Sequence, residues 1–271
     1  MKTKQIITVC LLAAFLAGFS LWGLLRTPGD VSQAERRPLA QWPEFTVSGF
    51  LSGQYAGKLE HAAADQFPLR DGFRALKAFF SGRILMERDN NGVYSAEGHL
   101  AKLDYPVNSD LVRHAAERFS AVYETYFAAS GANVYYTVVP DKNYFLAEQN
   151  GYPAMDYELL TDTLHGGMPY AEYIDIFETL SLDNYYRTDT HWRQETLLPA
   201  AKTIADAMGA AISNDFTENT LDRDYYGLYY GYAALPVKPE KISYLTNDTI
   251  ENAVVTNFET NQKTAVYDME K

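Results

Sequence analysis

The segment YRTDTHWR, residues 186–193, places a carboxylate and an imidazole two residues apart. In a loop between a strand end and a helix start, Asp189 can accept the Nδ1–H of His191, which fixes the tautomer and leaves Nε2 free to take a proton. Such a base becomes useful when a hydroxyl nucleophile lies beside Nε2. The pair is therefore a candidate for the basic half of a serine-type catalytic triad.

Three other interpretations of this pair stay open on the residues alone. Asp189 or Thr190 can cap the helix-like segment that follows, QETLLPAAKTIADAMG, because both side chains accept backbone N–H groups at helix starts. A D-x-H triplet also occurs by chance. A metal site is the third interpretation, but no third His or carboxylate stands at ligand spacing, so we expect no metal.

The composition limits the class of protein. A chain of 271 residues with 47% hydrophobic and 21% charged residues is a folded globular chain, long enough for one large domain or two small ones. Its net charge of −12 argues against nucleic acid as a partner, because neutralising phosphates requires a basic surface. The 21 tyrosines each combine an apolar body with a polar tip, which suits sugar-facing surfaces as well as ordinary packing.

An apolar segment near the N-terminus predicts a membrane anchor. Residues 5–25, QIITVCLLAAFLAGFSLWGLL, carry no charge, and about 20 residues suffice for an α-helix to cross a bilayer. Lys2 and Lys4 favour a cytoplasmic start, so everything after Arg26 is expected to be exported as the main domain of a single-pass cell-membrane protein. A cleaved signal peptide is the alternative, but its apolar core is usually roughly 7–15 residues long. The single cysteine, Cys10, lies inside the segment, so the exported part contains no thiol.

The next segments predict a linker followed by helices. Residues 27–46 contain three prolines and mixed charge, which indicates a linker with little regular structure. Residues 47–88 show helical spacing of apolar residues, interrupted at DQFPLRD. In that interruption Arg70 can pair with Asp65 or Asp71, most simply as a structural clamp between helices.

Strand patterns then alternate with helical ones. Residues 90–103, NNGVYSAEGHLAKL, contain two turn dipeptides and predict a hairpin. Residues 109–130 predict an amphipathic helix with Ser109 as its N-cap. Residues 132–140, ANVYYTVVP, have the continuous β-branched and aromatic character of a buried parallel strand. This alternation favours a three-layer α/β domain.

Three residues are candidates for substrate binding. Lys142 follows the predicted parallel strand, at the edge where α/β folds bind ligands, so it is either a substrate or carboxylate anchor or an exposed loop residue. The glycine–tyrosine loop that ends at Tyr232 either lines a sugar cleft or packs. Trp192, which completes the D-x-H-W block, is the third candidate.

Six short motifs occur in a fixed order along the chain: ERRPLAQWPEF, DQFPLRD, NNGVY, VVPDKNYF, YYRTDTHW and YYGLYYGYAALP. Together they resemble the DHHW family of bacterial cell-envelope proteins, which is similar to the SGNH-hydrolase-like O-acetyltransferases that modify alginate in the periplasm. The resemblance covers nearly the whole exported chain. It implies an SGNH-hydrolase-like three-layer α/β/α fold, with Asp189 as orienting acid and His191 as base. Thr190 stands where the family name has its first histidine.

The nucleophile is the point where this sequence departs from the resembling families. There the serine follows the D-x-H block, in a turn of the D-S-Y or D-S-F kind. The sequence reaches Lys271 in VYDMEK without such a turn, and its upstream serines do not lie in one. We therefore expect an anchor at 1–26, a linker at 27–46 and an SGNH-like domain at 47–271 that is incomplete and inactive as given.

Two functions of different class follow. The first is O-acyl (acetyl) transfer or ester hydrolysis on cell-envelope polysaccharide, outside the cytoplasm, by a protein held in the membrane through residues 5–25. By the resemblance, a membrane-bound acyl-transferase is a further candidate partner. The second is a non-catalytic envelope module that binds glycan or protein through its tyrosine-rich surface. Neither function calls for a cofactor, and we expect none.

Overall fold

Two units make up the chain in the computed structural model, which describes residues 3–267. The first unit contains residues 3–91 and 230–237, and the second contains residues 92–229 and 238–267. Residues 268–271, the end of VYDMEK, lie outside the described residues. The expectation of a missing nucleophile segment concerns this end of the sequence. The partition into anchor, linker and SGNH-like domain stays a prediction.

The first unit begins with the helix α1 (Thr3–Leu25), 23 residues with a mean hydropathy of 2.1 over its most apolar window. At 1.5 Å per residue such a helix is about 35 Å long, so α1 is long and apolar enough to cross a membrane. Length and composition are what support a membrane span. Lys2, one of the two lysines behind the predicted cytoplasmic start, lies outside the described residues.

Short helices and one small hairpin complete the first unit. They are β1 (Val31–Ser32), β2 (Arg37–Pro38), α2 (Val47–Leu51), α3 (Gln54–Asp65), α4 (Arg70–Phe79) and a π-helical turn, Phe80–Ile84, that continues α4. The helices confirm the helical pattern predicted for residues 47–88. The antiparallel pair of β1 and β2 lies inside the predicted linker, so that segment is more ordered than expected.

An ion-pair network ties the segment around β2 to the corner between α3 and α4. Arg37 donates to both carboxylate oxygens of Asp65 at 2.7 Å. Arg70 lies 3.6 Å from Asp65 and 3.3 Å from Asp71, which confirms the predicted clamp with both partners. Glu35 adds a contact of 2.6 Å to Arg70. The segment after α1 is therefore held against these helices by charge-assisted hydrogen bonds.

The second unit mixes short helices with two-stranded sheets, and the last four residues of its α9 count with the first unit. Its elements in chain order are β3 (Val93–Ala96), β4 (His99–Lys102), α5 (Ser109–Tyr126), β5 (Val134–Tyr136), α6 (Lys142–Leu146), α7 (Tyr157–Gly167), β6 (Ala171–Tyr173), α8 (Leu198–Ala207), β7 (Thr217–Thr220), α9 (Leu228–Ala233), β8 (Ser243–Thr246), α10 (Asp248–Asn252), β9 (Val254–Thr256) and β10 (Lys263–Ala265).

The predicted hairpin over residues 90–103 is confirmed by β3 and β4, which pair antiparallel. Its two-residue turn is Glu97-Gly98, with φ angles of 50° and 79°. Two left-handed residues in succession are what a two-residue hairpin turn requires, because only then does the turn match the twist of the strands. The dipeptide signal was therefore sufficient to place this hairpin.

The predicted parallel strand is β5, which pairs in parallel with β6. Helices α6 and α7 lie in the connection between the two strands. Ala116 of α5, which precedes β5, forms a buried cluster with Met168 and Ala171, and the partly buried Val134 packs against it. The other strand pairs among residues 3–267 are antiparallel. The fold is thus mixed α/β with small sheets, and the described residues show one parallel pair rather than a wide three-layer sheet.

The start of α5 differs from the prediction by one residue. The N-cap is Asn108, whose side chain accepts the backbone N–H of Leu111, and Ser109 is the first helical residue. Asn and Ser satisfy free N–H groups at a helix start about equally well, so residue type alone could not decide between adjacent positions.

Candidate active site

The D-x-H motif lies in a tight loop of the second unit. Tyr185 and Trp192 form an isolated antiparallel bridge, and the backbone N–H of Tyr186 donates to the carbonyl of His191 at 3.1 Å. The next α-helix, α8, begins at Leu198, well past the motif. The interpretation that Asp189 or Thr190 caps that helix is therefore wrong.

Asp189 and His191 contact each other directly. Nδ1 of His191 lies 2.5 Å from Oδ1 of Asp189, and the backbone N–H of His191 donates to the same oxygen at 3.0 Å. The Asp189 side chain is 2% exposed, whereas the imidazole is 73% exposed. Within residues 3–267, Nε2 makes no hydrogen bond. The arrangement fixes one face of the imidazole and leaves Nε2 available for a proton.

The other oxygen of Asp189 is occupied as well. Oδ2 accepts the hydroxyl of Tyr225 at 2.9 Å and the backbone N–H of Leu228 at 2.7 Å. Burial of Asp189 disfavours its charge, but the backbone N–H groups of His191 and Leu228, with both side-chain donors, outweigh burial and lower the pKa of this carboxyl to about 2. Asp189 is consequently ionised at neutral pH and held by donors on both oxygens.

Gly227 allows this close approach. A Cβ atom at Gly227 would lie 2.3 Å from Cβ of Asp189 and 2.4 Å from the carbonyl oxygen of Thr188, far inside contact distance. Its backbone N–H donates to Oγ1 of Thr188 at 2.8 Å. Only glycine fits here without moving the motif, because the obstructing atoms belong to the backbone and its first side-chain carbon.

Lys142 is a buried residue that contacts the backbone of the motif. It is 1% exposed, so the alternative of an exposed loop residue is wrong. Nζ donates to the carbonyl oxygens of Tyr186 at 3.0 Å and Arg187 at 3.2 Å, and it lies 5.0 Å from the ring centre of Tyr229. Burial lowers the pKa of Lys142 to about 7, against the opposing attraction of Glu240 and other acids. The contacts of Nζ are thus with backbone carbonyls of the motif and with the ring of Tyr229.

Glu240 holds the same loop from another element. Its carboxylate accepts the backbone N–H of Arg187 at 2.8 Å, and the backbone N–H and hydroxyl of Thr188 at 2.9 and 2.8 Å. Three donors on one buried carboxylate make a strong, geometrically defined clamp. The residues immediately before Asp189 are thus held by Lys142 on their carbonyls and by Glu240 on their N–H groups.

Trp192 packs against the hydrophobic core and also lines a cavity. It packs against a buried cluster that includes Ile174 and Ile176. It also lines a cavity of about 570 Å³ together with aromatic and polar side chains, among them Tyr186, Gln194, Arg223, Tyr244 and Tyr267. The rings of Tyr244 and Tyr267 lie 4.9 Å apart, and the amide of Gln194 donates to the Tyr267 hydroxyl at 2.8 Å. Such a mixture of aromatic faces and amide groups is typical of small-ligand pockets.

Tyr232 belongs to the first unit and is 47% exposed. Its carbonyl accepts the side-chain amide of Asn91 at 2.9 Å. The motif belongs to the second unit, and a role of Tyr232 in substrate binding stays a prediction.

A metal centre is not evident in the part of the chain that the structure describes. Among residues 3–267, no group of three or more His, Cys, Asp or Glu side chains could hold a metal ion. The metal interpretation of the D-x-H pair therefore gains no support from these residues.

Five residues that hold the motif were not identified from the sequence: Thr188, Tyr225, Gly227, Leu228 and Glu240. The glycine in the tyrosine-rich loop is a signal for close backbone approach, because glycine in a loop often lies where another segment comes near. For Glu240 no local signal exists.

The chain has low sequence identity and limited structural similarity to known proteins. No family model matches the chain, and no curated protein matches it. Among solved structures, a DHHW family protein from Eubacterium siraeum DSM 15702 is 20% identical, with a TM-score of 0.48 over 59% of this chain and 56% of that one. Bacillus cereus PatB1 with a sulfonyl adduct is 13% identical, with a TM-score of 0.49 over 64% and 62%. The chain spans less than two thirds of the length of either protein, and we assign no activity from these likenesses.

Proposed function

We propose that the protein performs acyl transfer or ester hydrolysis on cell-envelope polysaccharide, outside the cytoplasm and anchored by α1. The single observation that carries the proposal is the 2.5 Å contact between His191 Nδ1 and the buried carboxylate of Asp189. A buried, ionised acid that orients an exposed imidazole is the arrangement of a general base in a serine-type triad.

In the proposed reaction, Nε2 of His191 takes the proton of a hydroxyl nucleophile as its oxygen attacks the acyl carbonyl carbon. The ionised Asp189 stabilises the imidazolium that forms. When the tetrahedral intermediate collapses, the same proton passes from Nε2 to the departing alkoxide oxygen. A second cycle, with water or a sugar hydroxyl as the acceptor, then releases the acyl group as an acid or as a new ester. In each cycle the proton that His191 takes up is returned to the departing oxygen.

The nucleophilic hydroxyl itself is the part that the described residues do not supply. Within residues 3–267, no hydroxyl lies at hydrogen-bond distance from Nε2 of His191. The family resemblance assigns this role to a serine in a D-S-aromatic turn, a motif that the given sequence does not contain. We therefore assign to this chain the acid and base, and leave the nucleophile to such a turn.

The cavity beside Trp192 supports a carbohydrate as substrate. Its aromatic side chains offer flat apolar faces to sugar rings, and Gln194 and Arg223 offer hydrogen-bond donors to sugar hydroxyls. The same cavity favours the alternative function, a non-catalytic module that binds envelope glycan. The two functions differ in whether ester cleavage depends on His191.

The test uses p-nitrophenyl acetate and two forms of the protein. We expect the 271-residue chain to show no turnover above a His191→Ala control, because a base without a nucleophile forms no acyl ester. A longer form of the protein that carries a D-S-aromatic turn should hydrolyse the ester, and His191→Ala should abolish that activity. Activity of the longer form that survives His191→Ala would refute the proposed role of His191, and the absence of any turnover in the longer form would favour the binding module.

Placement is tested separately, on membranes. If α1 is an uncleaved anchor, the protein stays with the membrane fraction after a sodium carbonate wash and retains its own N-terminus. Tagging the C-terminus and adding protease outside intact cells reports the side of the membrane. Recovery of the protein in the wash, or a tag cleaved only after cell lysis, would contradict the predicted location.

A further inference from the structure

Helix α4, its N-cap residue and the π-helical turn after it expose a row of large apolar residues. We name this row the apolar stripe; it consists of Leu69, Phe73, Leu76, Phe80 and Ile84. Each of these side chains is more than a third exposed, and Leu76 is 49% exposed. Spacings of three and four residues place them along one side of the helix. A contiguous apolar face of this kind marks an interaction surface.

The apolar stripe begins beside the last turns of α1. The ring of Phe19 in α1 stacks on Phe67 with centres 5.5 Å apart, and Phe73 meets the same ring edge-on at 5.7 Å. Gly23 is buried, and a Cβ there would lie 3.4 Å from the Pro68 ring. The start of α4 and the end of α1 are therefore in contact.

A buried glutamine fixes this joint. Gln66 is fully buried, and its amide nitrogen donates to the carbonyls of Gly29 at 2.9 Å and Ala40 at 3.1 Å. Its amide oxygen accepts the backbone N–H of Gly29 at 2.8 Å. Because these bonds join the segment leaving α1 to the residues that begin α4, α4 cannot swing away from α1 without breaking them.

The position of this joint along α1 sets a depth. Phe19 lies six residues before Leu25, which corresponds to about 9 Å along the helix axis. When α1 crosses the bilayer as far as Leu25, the side chain of Phe73 lies at that depth below the surface. Interfacial helices bury their apolar faces about 5–10 Å into the boundary between headgroups and acyl chains. The joint therefore holds the start of α4, at Phe73, at the depth of an interfacial helix.

The charge of this segment also favours contact with a membrane surface. Residues 66–88 contain five basic and two acidic residues, although the whole chain has a net charge of −12. Arg70 and Arg74 pair with Glu35, whereas Arg83, next to Ile84 in the π-helical turn, is exposed. Basic residues next to an apolar face attract the anionic headgroups of a membrane.

We propose that α4 and its π-helical turn form an interfacial helix that lays the apolar stripe into the headgroup boundary of the bilayer that α1 crosses. The first unit is then seated on the membrane surface by two contacts, α1 across the bilayer and α4 along it. The proposal rests on the proposed anchoring by α1. The apolar stripe is then covered by lipid rather than by a second copy of the chain.

The test places a nitrobenzoxadiazole fluorophore on single cysteines of the full 271-residue chain in phosphatidylcholine–phosphatidylglycerol vesicles. Native Cys10, the single cysteine of the sequence, reports insertion of α1. In a Cys10→Ser background, Leu76→Cys and Ile84→Cys report the apolar stripe. Ala75→Cys is the matched control, because it is also exposed and is turned by about 100° from Leu76 on the same helix. Quenching is measured with lipids brominated on their acyl chains.

We expect the labels at 76 and 84 to be quenched at least roughly twofold more than the label at 75. Equal quenching at 75 and 76 overturns the interfacial helix. A label at 76 that is shielded from water but not quenched by brominated lipid also overturns it, in favour of a second copy of the chain. An unquenched label at Cys10 overturns the anchor itself, whereas quenching at Cys10 without quenching at 76 overturns the interfacial helix alone.

Discussion

The carboxylate of Glu240 accepts both the backbone N–H and the hydroxyl of Thr188, at 2.9 and 2.8 Å, across 52 residues of sequence. Thr188 immediately precedes Asp189, so these two bonds fix the backbone that carries the acid for which we propose an orienting role. The precision of a catalytic pair depends on such supporting contacts, because a loosely held acid cannot keep the imidazole in one orientation.

Replacing Glu240 by glutamine should weaken this support. Glutamine has an NH₂ group in place of one of the two carboxylate oxygens that accept from Arg187 and Thr188. At least one of these buried donors therefore loses its acceptor. We expect the free energy of unfolding to fall by about 1 to 3 kcal/mol in urea denaturation. Glu218→Gln, at an exposed position in β7, is the control and should change it by less than about 0.5 kcal/mol. Equal stability of the two variants would show that Glu240 does not hold the motif.

Asp189→Asn should change the protonation pattern of His191 while keeping the shape of the site. Asparagine cannot accept on both sides, so either the imidazole or the donors Tyr225 and Leu228 lose a partner. In ¹⁵N spectra of the imidazole we expect the proton to move from Nδ1 toward Nε2. In an active form of the protein, kcat should fall by roughly 10⁴-fold. Asp206→Asn on the exposed face of α8 is the control, and an unchanged His191 spectrum in Asp189→Asn would contradict the assignment.

Gly227→Ala should be among the most damaging single-methyl additions in the second unit. The new Cβ meets Asp189 and the carbonyl of Thr188, so the loop must move and the bond from Leu228 to Asp189 is lost. We expect a loss of about 3 kcal/mol in the free energy of unfolding. Gly57→Ala in α3 has open space around the new Cβ and should be neutral or stabilising by about 0.5 to 1 kcal/mol. A neutral Gly227→Ala would show that the close approach is absent in solution.

Stability should decrease in mild acid because of His99. This side chain is buried, and within residues 3–267 its Nδ1 has no hydrogen-bond partner. Burial lowers the pKa of His99 from 6.5 to about 4. The unfolded chain therefore takes up a proton near pH 6.5 that the folded chain takes up only near pH 4, so protonation favours unfolding between these values.

The measurement is the free energy of unfolding as a function of pH over this window. We expect it to fall as the pH decreases from 6.5 to about 4, and His99→Gln should flatten the curve. His114→Gln, at an exposed position on α5, is the control and should leave the slope unchanged. If His99→Gln retains the slope of the native chain, another group is responsible.

Features that depend on neighbours in sequence were predictable. The contact between Asp189 and His191 spans two residues, so the loop that holds one also holds the other. The hairpin follows from Glu97-Gly98, because the turn geometry needs two left-handed residues in succession. The apolar length of α1 and the pairing of Arg70 with acids on either side of it are likewise local consequences of residue type and spacing.

Features that depend on contacts between distant segments were decided by the tertiary structure. Lys142 was assigned to a substrate site or an exposed loop, and the fold buries it under carbonyls 44 and 45 residues away. Tyr225 and Leu228 reach Asp189 across 36 and 39 residues, and Glu240 reaches Thr188 across 52. Residue type determined that each of these groups can donate or accept, but their partners were fixed only when packing removed water and left each buried polar group a single place to pair.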